Sequence, residues 1–378
     1  MVTGVLLLAR GAVLPHAIVP PAARPDHAVE LRVEGGRITH LAIAGGTGCD
    51  HDGLLLPGFV DLQVNGAGGC DVATATPLAL DAIAAAVFAG GAVAFLPTLI
   101  TAPWPTLLER VAAVARWVET WNGTGAEPLG IHLEGPFLEG SGAHDEAHFV
   151  DPTPERIAAL LAAARGRLAL VTLAPARPHA VDAVRALRAA GVAVALGHAR
   201  SPAGFQACVA AGAALVTHMF NVMGPLHHRE PGIAGLALDE RALSASLICD
   251  GVHVDPVMVR LAFAALGVDR TVLITDAVAA AGGPDGTYQL GDVEVTARDG
   301  VVRNAAGELA GSALTMSLAA QRFLAFLDGR AGPWTLARVA ATNPARLLGR
   351  SDYGTIAPGA KAAFTLARAD GTFAAVRC

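Results

Sequence analysis

Charge is scarce in this 378-residue chain: Asp, Glu, Lys and Arg make up only 16% of it, against 53% apolar residues. The net charge is -6, so the chain lacks the basic excess that would track a nucleic-acid backbone or an anionic membrane. No run of like charges marks a solvated tail. Cysteine is also sparse. Cys49, Cys70, Cys208, Cys249 and Cys378 are odd in number and contain no CxxC pair. That argues against a disulfide framework and a Cys-ligated zinc site, and for a reducing cytoplasm. The N-terminal MVTGVLLLARG has no cationic stretch before its apolar run and no small-residue cleavage site, so it reads as a strand. The apolar stretch from Leu78 to Ile100 is long enough to suggest a membrane span. Asp81, Gly90-Gly91 and Pro97 interrupt it, however, and a buried helix followed by a buried strand is the better reading.

What the chain does have is rhythm. From LLLPGFVDLQVNG onward, apolar strand-like runs alternate with helical segments, the signature of βα units. The runs end near Asn65, Leu99, Glu134, Leu173, His198, His218, Asp250 and Asp276. Eight is the number that closes a parallel barrel. Thr76-Pro77, Thr153-Pro154, Ser201-Pro202 and Asp255-Pro256 each place a capping side chain before a proline, predicting helix starts. Gly191, Gly212 and Gly267 are predicted helix stops. Residues 1–56 read as small β structure with a hairpin at Gly35-Gly36, and residues 351–378 as short strands and turns. Neither end buries a core alone, so the two are expected to pair as one discontinuous β-sandwich domain. A (β/α)8 barrel then occupies 57–350, with a β-hairpin insertion near 287–303 and two helices, 312–327 and 335–348.

In a parallel barrel the C-terminal strand ends form the active face. Four such ends here carry metal-competent or proton-transfer groups. His198 and His218 close two successive runs. With Glu134 they make a three-ligand set that leaves one position for water, as catalytic zinc sites do. Asp276 suits a proton acceptor and donor, and Asp250 is its rival, with a cap or turn residue as the plainer reading. The HHREPG loop (227–232), with His253, suits either an anion such as phosphate or simple solvation. The 139–148 loop is either a lid or a connection.

PGFVDLQVNG (57–66), HLEGPF (132–137), GAH (142–144), LGH (196–198), THMFNVM (217–223), HHREPG, CDGVHVD (249–255), ITDA (274–277), LAGSALTM (309–316) and NPAR (343–346) follow one family's order and spacing. The chain resembles the N-acetylglucosamine-6-phosphate deacetylases of the amidohydrolase superfamily. The resemblance implies a metal-dependent hydrolase barrel that cleaves the N-acetyl amide of a phosphorylated amino sugar, in amino-sugar catabolism and cell-wall recycling. Glu134, His198 and His218 would hold one divalent ion per subunit, zinc or otherwise iron, cobalt or manganese. Asp276 would move the proton. Ala143 and His144 would contact the sugar and its acetyl group, and Asn221 and Val222 would line the sugar pocket. Arg229 and His253 would grip the 6-phosphate, and Leu309, Ala310 and Gly311 would close the pocket. A cytoplasmic homodimer is expected, with part of the phosphate grip supplied by the neighbouring subunit. Gln63 and Asn65 stand where many amidohydrolases place His-x-His for a second metal, and neutral amides are poor divalent-metal ligands beside imidazole. Two alternatives are the same chemistry on N-acetylgalactosamine 6-phosphate or another N-acyl substrate, and a non-catalytic binding barrel. The last predicts lost ligands, whereas all four central groups are present.

Overall fold

The computed structural model describes residues 5–14, 17–19, 27–45 and 51–378. Cys49 lies outside them. Eight parallel strands follow one another around a barrel: Phe59–Val64, Ala92–Ile100, Ile131–Glu134, Leu168–Leu173, Ala193–Leu196, Leu215–Val216, Ser244–Ile248 and Thr271–Ile274. Each pairs with its neighbour in sequence. The ring closes where Val64 bridges Ala277 and the Asn65 amide donates to the Ala277 carbonyl at 2.7 Å. Most of these strands are buried throughout, as expected of a parallel sheet walled by helices.

The helices start largely where their caps predict. The Thr76, Thr153 and Asp255 side chains accept from the amides of Ala79, Arg156 and Val257. Ser201 does not cap a helix. Its hydroxyl accepts from Ala203 in a turn, and the helix waits until Phe205–Ala210, after Gly204 at φ 73°. The Leu78–Ile100 stretch becomes the helix Pro77–Ala89 and the second barrel strand. No helix among the described residues is long and apolar enough to cross a membrane.

The two chain ends meet in a seven-stranded sheet. Phe373–Arg377 pairs with Ala363–Ala367, which pairs with His51–Pro57; Val5–Leu14 comes next, with Ala17–Val19 also paired to it, and then His27–Glu34 and Arg37–Gly45. The hairpin between the last two turns at Gly35 and Gly36, with φ of 58° and 71°, a pair of left-handed positions that glycine adopts without Cβ strain.

The expected hairpin near 287–303 is larger than its sequence suggests. Gly286–Leu290, Val293–Arg298, Val301–Asn304 and Leu309–Ser312 form a four-stranded antiparallel sheet, with the Asp299-Gly300 turn at its centre. The first helix after it is shorter than expected, Met316–Phe326, because Thr315 caps it by accepting from the Leu318 amide. The second is broken. Pro333–Ala337 widens into a π turn at Arg338–Thr342 before Asn343–Leu347. Pro344 has no N–H to continue the ladder, which accounts for the wider turn.

Candidate active site

The barrel delivers four side chains to its C-terminal mouth. Glu134 ends the third strand, and His198, His218 and Asp276 follow the fifth, sixth and eighth. The two histidines and the aspartate leave their strands with φ of 47°, 24° and 51°. Left-handed backbone costs a non-glycine residue roughly 1–3 kcal/mol, and such positions cluster at functional sites. The Glu134 Oε1 atom lies 3.2 Å from His198 Nε2 and 2.8 Å from His218 Nε2, and the two imidazole nitrogens are 3.1 Å apart. All three residues are buried.

The surroundings settle which atoms face inward. His198 Nδ1 donates to the Gly140 carbonyl at 2.9 Å, so its Nε2 lone pair is free toward Glu134. His144 Nδ1 accepts from the Thr101 amide and sits 2.8 Å from the Thr101 hydroxyl. An amide can only donate, so the His144 proton is on Nε2, which faces Glu134 Oε2 at 3.6 Å. Gln63 Nε2 donates to both Glu134 Oε1 (3.0 Å) and Asp276 Oδ1 (2.9 Å), while its carbonyl accepts from the Thr217 hydroxyl. Asn65 Nδ2 donates to the same Asp276 oxygen at 2.8 Å. Gln63 and Asn65, expected only as the mark of a missing second metal, are therefore the supports of Asp276.

Burial alone would raise the Glu134 carboxyl, but the imidazoles of His144, His198 and His218 gathered against it outweigh that and hold Glu134 well below the usual carboxylate range. Asp276 goes the other way. Burial raises it first and the Glu134 charge adds to that, against the pull of His218 and His253. Burial lowers His144 and keeps it neutral, with Glu134 opposing. Two carboxylates with opposite shifts in one cavity divide the work between a permanent anion and a group able to exchange a proton. A buried carboxylate with two imidazole nitrogens aimed at its one oxygen, one of them with its tautomer fixed, fits a divalent metal ion.

A cavity of about 270 Å³ opens over this cluster. Of the residues expected around it, Glu134, Ala143, His144, His198, His218, Asn221, Val222, His253, Asp276, Leu309 and Gly311 line it. Ala310 does not. On the extended strand Leu309–Ser312 alternate side chains face opposite ways, and Ala310 packs into the apolar cluster of Val278, Leu290 and Val295. Arg229 is also absent from the wall: it lies exposed on the loop before the helix Gly232–Asp239. Asp250, the rival of Asp276, is engaged by its own loop. Its carboxylate accepts from His253 Nδ1 at 2.6 Å and from the Val252 and His253 amides, so it orients His253. Ile100, Leu290 and Glu308 line the cavity without having been expected. Glu308 directly precedes the LAGSALTM motif, the nearest signal for it in the sequence. Leu290 is brought in by the four-stranded sheet, whose pairing is not local.

A parallel (β/α)8 barrel with a Glu–His–His cluster at its C-terminal mouth defines the amidohydrolase class. The family profile described as "Amidohydrolase family" matches residues 54–375, and the chain belongs to that family. It is 38% identical over 344 residues to the N-acetylgalactosamine-6-phosphate deacetylase of Escherichia coli O157:H7, covering 89% of each chain. It is 33% identical to the N-acetylglucosamine-6-phosphate deacetylase of Bacillus subtilis (strain 168), covering 84% of this chain and 82% of that one. Among solved structures it is similar to a mutant N-acetyl-D-glucosamine-6-phosphate deacetylase from Mycobacterium smegmatis in complex with N-acetyl-D-glucosamine-6-phosphate. The TM-score is 0.89 at 33% identity, over 98% of this chain and 96% of the other.

Proposed function

We propose that this protein is a metal-dependent deacetylase that hydrolyses the N-acetyl amide of N-acetylglucosamine 6-phosphate to glucosamine 6-phosphate and acetate. The observation that carries the reading is the convergence of Glu134, His198 and His218 beside Asp276 in one cavity. It occurs in a chain that aligns nearly end to end with deacetylases of phosphorylated amino sugars.

Glu134, His198 and His218 would hold one divalent ion, zinc being the natural match to two imidazoles and a carboxylate, with iron, cobalt or manganese as substitutes. When bound, that ion supplies Lewis-acid polarisation of the acetyl carbonyl and an acidified water. Asp276, raised above the usual carboxylate range and fixed by two amide donors, accepts the proton of the attacking water. His144 presents its Nε2 proton to the carbonyl oxygen as negative charge develops there. Asp276 then passes its proton to the departing nitrogen, the C–N bond breaks, and acetate and the amine leave. His253, braced by Asp250, points remote binding energy at the phosphate, which fixes the acetyl group over the reacting side chains.

Arg229, exposed outside its own chain's cavity, serves a neighbouring copy in the homodimer we infer. Exposed Leu226 on the same loop supports an interface there. The barrel at 57–350 is the catalytic unit, the β structure expected of 1–56 and 351–378 the second, and the compartment is the cytoplasm, in keeping with an odd number of cysteines and no CxxC pair in the sequence.

Acetate release tests this directly, on N-acetylglucosamine 6-phosphate, its galacto epimer and unphosphorylated N-acetylglucosamine. The phosphorylated gluco sugar is expected to be fastest and the neutral sugar slowest by at least about tenfold. A chelator should abolish release, and added zinc should restore it. No release from either sugar phosphate by the metal-replete protein sinks the proposal, and a faster galacto epimer moves the substrate to N-acetylgalactosamine 6-phosphate.

A further inference from the structure

An apolar patch stands beside the reacting centre and takes no part in its proton transfers. Ile100 ends the second barrel strand and is paired in register with Glu134. Residues paired across parallel strands point to the same side of the sheet, so Ile100 faces the cavity next to that carboxylate. Thr101, the next residue, has its hydroxyl 2.8 Å from His144 Nδ1. Ala143, just before His144, packs against the apolar cluster that contains Ile100 and Leu290. All three of these apolar residues line the cavity. Ile100 is 7% exposed and Leu290 3%, so the patch left open is small. It is also firmly backed. A Cβ built on Gly291 would lie 3.1 Å from Ile100 Cδ1, so the turn after Leu290 rests directly on that side chain. The turn is itself pinned to the barrel: Asp71 accepts from the Gly291 amide at 3.1 Å, and Arg110 donates twice to Asp292, at 3.1 and 2.8 Å.

We propose that Ile100 and Leu290, flanked by Ala143, form an acyl pocket that takes the acetyl methyl and rejects longer acyl chains. This rests on the deacetylase reading above. The carbonyl carbon of the substrate carries three groups. Its oxygen is drawn to His144 Nε2 and its nitrogen to Asp276, which leaves the methyl to be placed. The other apolar side chains expected around the sugar stand elsewhere on the wall. Val222 crowds Gly140 and Gly142 beside His198. Leu309 belongs to the strand whose Ser312 amide donates to the Asp276 carbonyl, on the side of the leaving nitrogen. Ile100 and Leu290 are the pair next to Glu134 and His144. A methyl set against them leaves water, which favours the acetyl group. One more methylene meets a wall whose backing is pinned, and close-packed apolar surfaces resist such overpacking. In a hydrophobic pocket a single methylene changes kcat/KM by roughly 10–200-fold.

The test measures kcat/KM of the metal-replete protein on the N-acetyl, N-propionyl and N-butyryl derivatives of glucosamine 6-phosphate, in the unmodified chain and in Leu290→Ala. The unmodified protein is expected to lose about tenfold or more for each added methylene. In Leu290→Ala the propionyl-to-acetyl ratio is expected to rise at least about tenfold, whatever the variant's rate on the acetyl substrate. Metal content and the unfolding midpoint are measured alongside. An unchanged ratio in a folded, metal-loaded Leu290→Ala overturns the proposal, because a wall that is only structural lowers all three rates together. So does an unmodified protein that cleaves the butyryl amide as fast as the acetyl one. Should Leu290→Ala not fold, Ile100→Val decides by the same ratio, since it removes one methyl from the pocket and leaves the sheet intact. Should the galacto epimer prove the faster substrate, the same acyl series is run on galactosamine 6-phosphate. Failure of the unmodified protein on both acetylated sugar phosphates is the separate signature of a wrong substrate reading.

Discussion

At the scale of single residues, the neighbours of the expected acid–base group carry as much chemistry as the group itself. Asp61 lies on the same strand as Gln63, and Asn65 directly follows that strand. It accepts from the Thr275 hydroxyl, the Thr275 amide and the Gln63 amide, so one carboxylate ties the first barrel strand to the residue before Asp276. Full burial, with the Asp276 charge in support, lifts its carboxyl from 3.8 to about 7 in spite of the Thr275 bonds. The native state therefore holds a proton that the unfolded chain has released once the pH passes about 4. Stability from this group is fully present below the unfolded value of 3.8 and declines as the pH rises to about 7. Asp61→Asn is neutral at every pH. Its unfolding midpoint relative to the parent should therefore improve by a few degrees between pH 4 and pH 8. Parallel melting curves across that range would count against a protonated Asp61.

At the scale of elements, the site depends on strands that approach closely just below their functional ends. Gly197 stands between Leu196 and His198, and a Cβ built there would lie 2.4 Å from the Thr217 Cγ2 atom. Thr217 precedes His218 and donates to Gln63. An added methyl would therefore press on the two histidine strands where their imidazoles meet, and overpacking of this kind costs about 1–3 kcal/mol. Gly197→Ala should lower the melting midpoint by several degrees and reduce the metal bound per chain. Full metal loading with an unchanged midpoint would show that the strands can yield without disturbing the site. His132, one layer below Glu134, is held by the Thr98 and Thr172 hydroxyls of the flanking strands. Burial pushes it down to about 4, so the layer supporting Glu134 carries no positive charge at neutral pH.

At the scale of the whole molecule, the two ends of the chain close around the barrel's first strands. Phe364 is fully buried among Leu31, Leu55 and Ile356. The Phe373 ring lies 5.7 Å from Phe59, at the start of the first barrel strand. Arg377 donates to the carbonyls of Val93 and Gly125. Each buried phenylalanine contributes roughly 1.5–3 kcal/mol, and the strand Ala363–Ala367 also covers the edge of His51–Pro57. Ending the chain after Ala362 should therefore cut soluble yield and lower the melting midpoint by more than any single substitution proposed above. A truncated protein that expresses and melts like the full chain would show that this sheet does not support the barrel.

The βα rhythm was legible because period and punctuation are local: apolar runs of strand length, Thr-Pro and Asp-Pro caps, and glycine stops. The same locality placed Glu134, His198, His218 and Asp276 at strand ends, and parallel strands of one barrel carry their ends to one face. What side chains do across that face was not legible. Alternation on the strand Leu309–Ser312 turned Ala310 away from the cavity, and the register of a non-local sheet brought Leu290 in. Asp250 reads equally as a rival proton-transfer group or as a cap or turn residue until the loop folds His253 onto it. Gln63 and Asn65 read as lost ligands until the barrel closes and sets both amides against Asp276. The sequence by itself determined the order of the elements and the kinds of group at their ends, because propensity and capping act within a few residues. Only the tertiary structure decided which donor meets which acceptor, and so which acid sits in the cavity against two side-chain amides and which Asn65 atom is left without a partner among the described residues. Those contacts join strands about two hundred residues apart, and burial there sets both their strength and the cost of leaving one unmade.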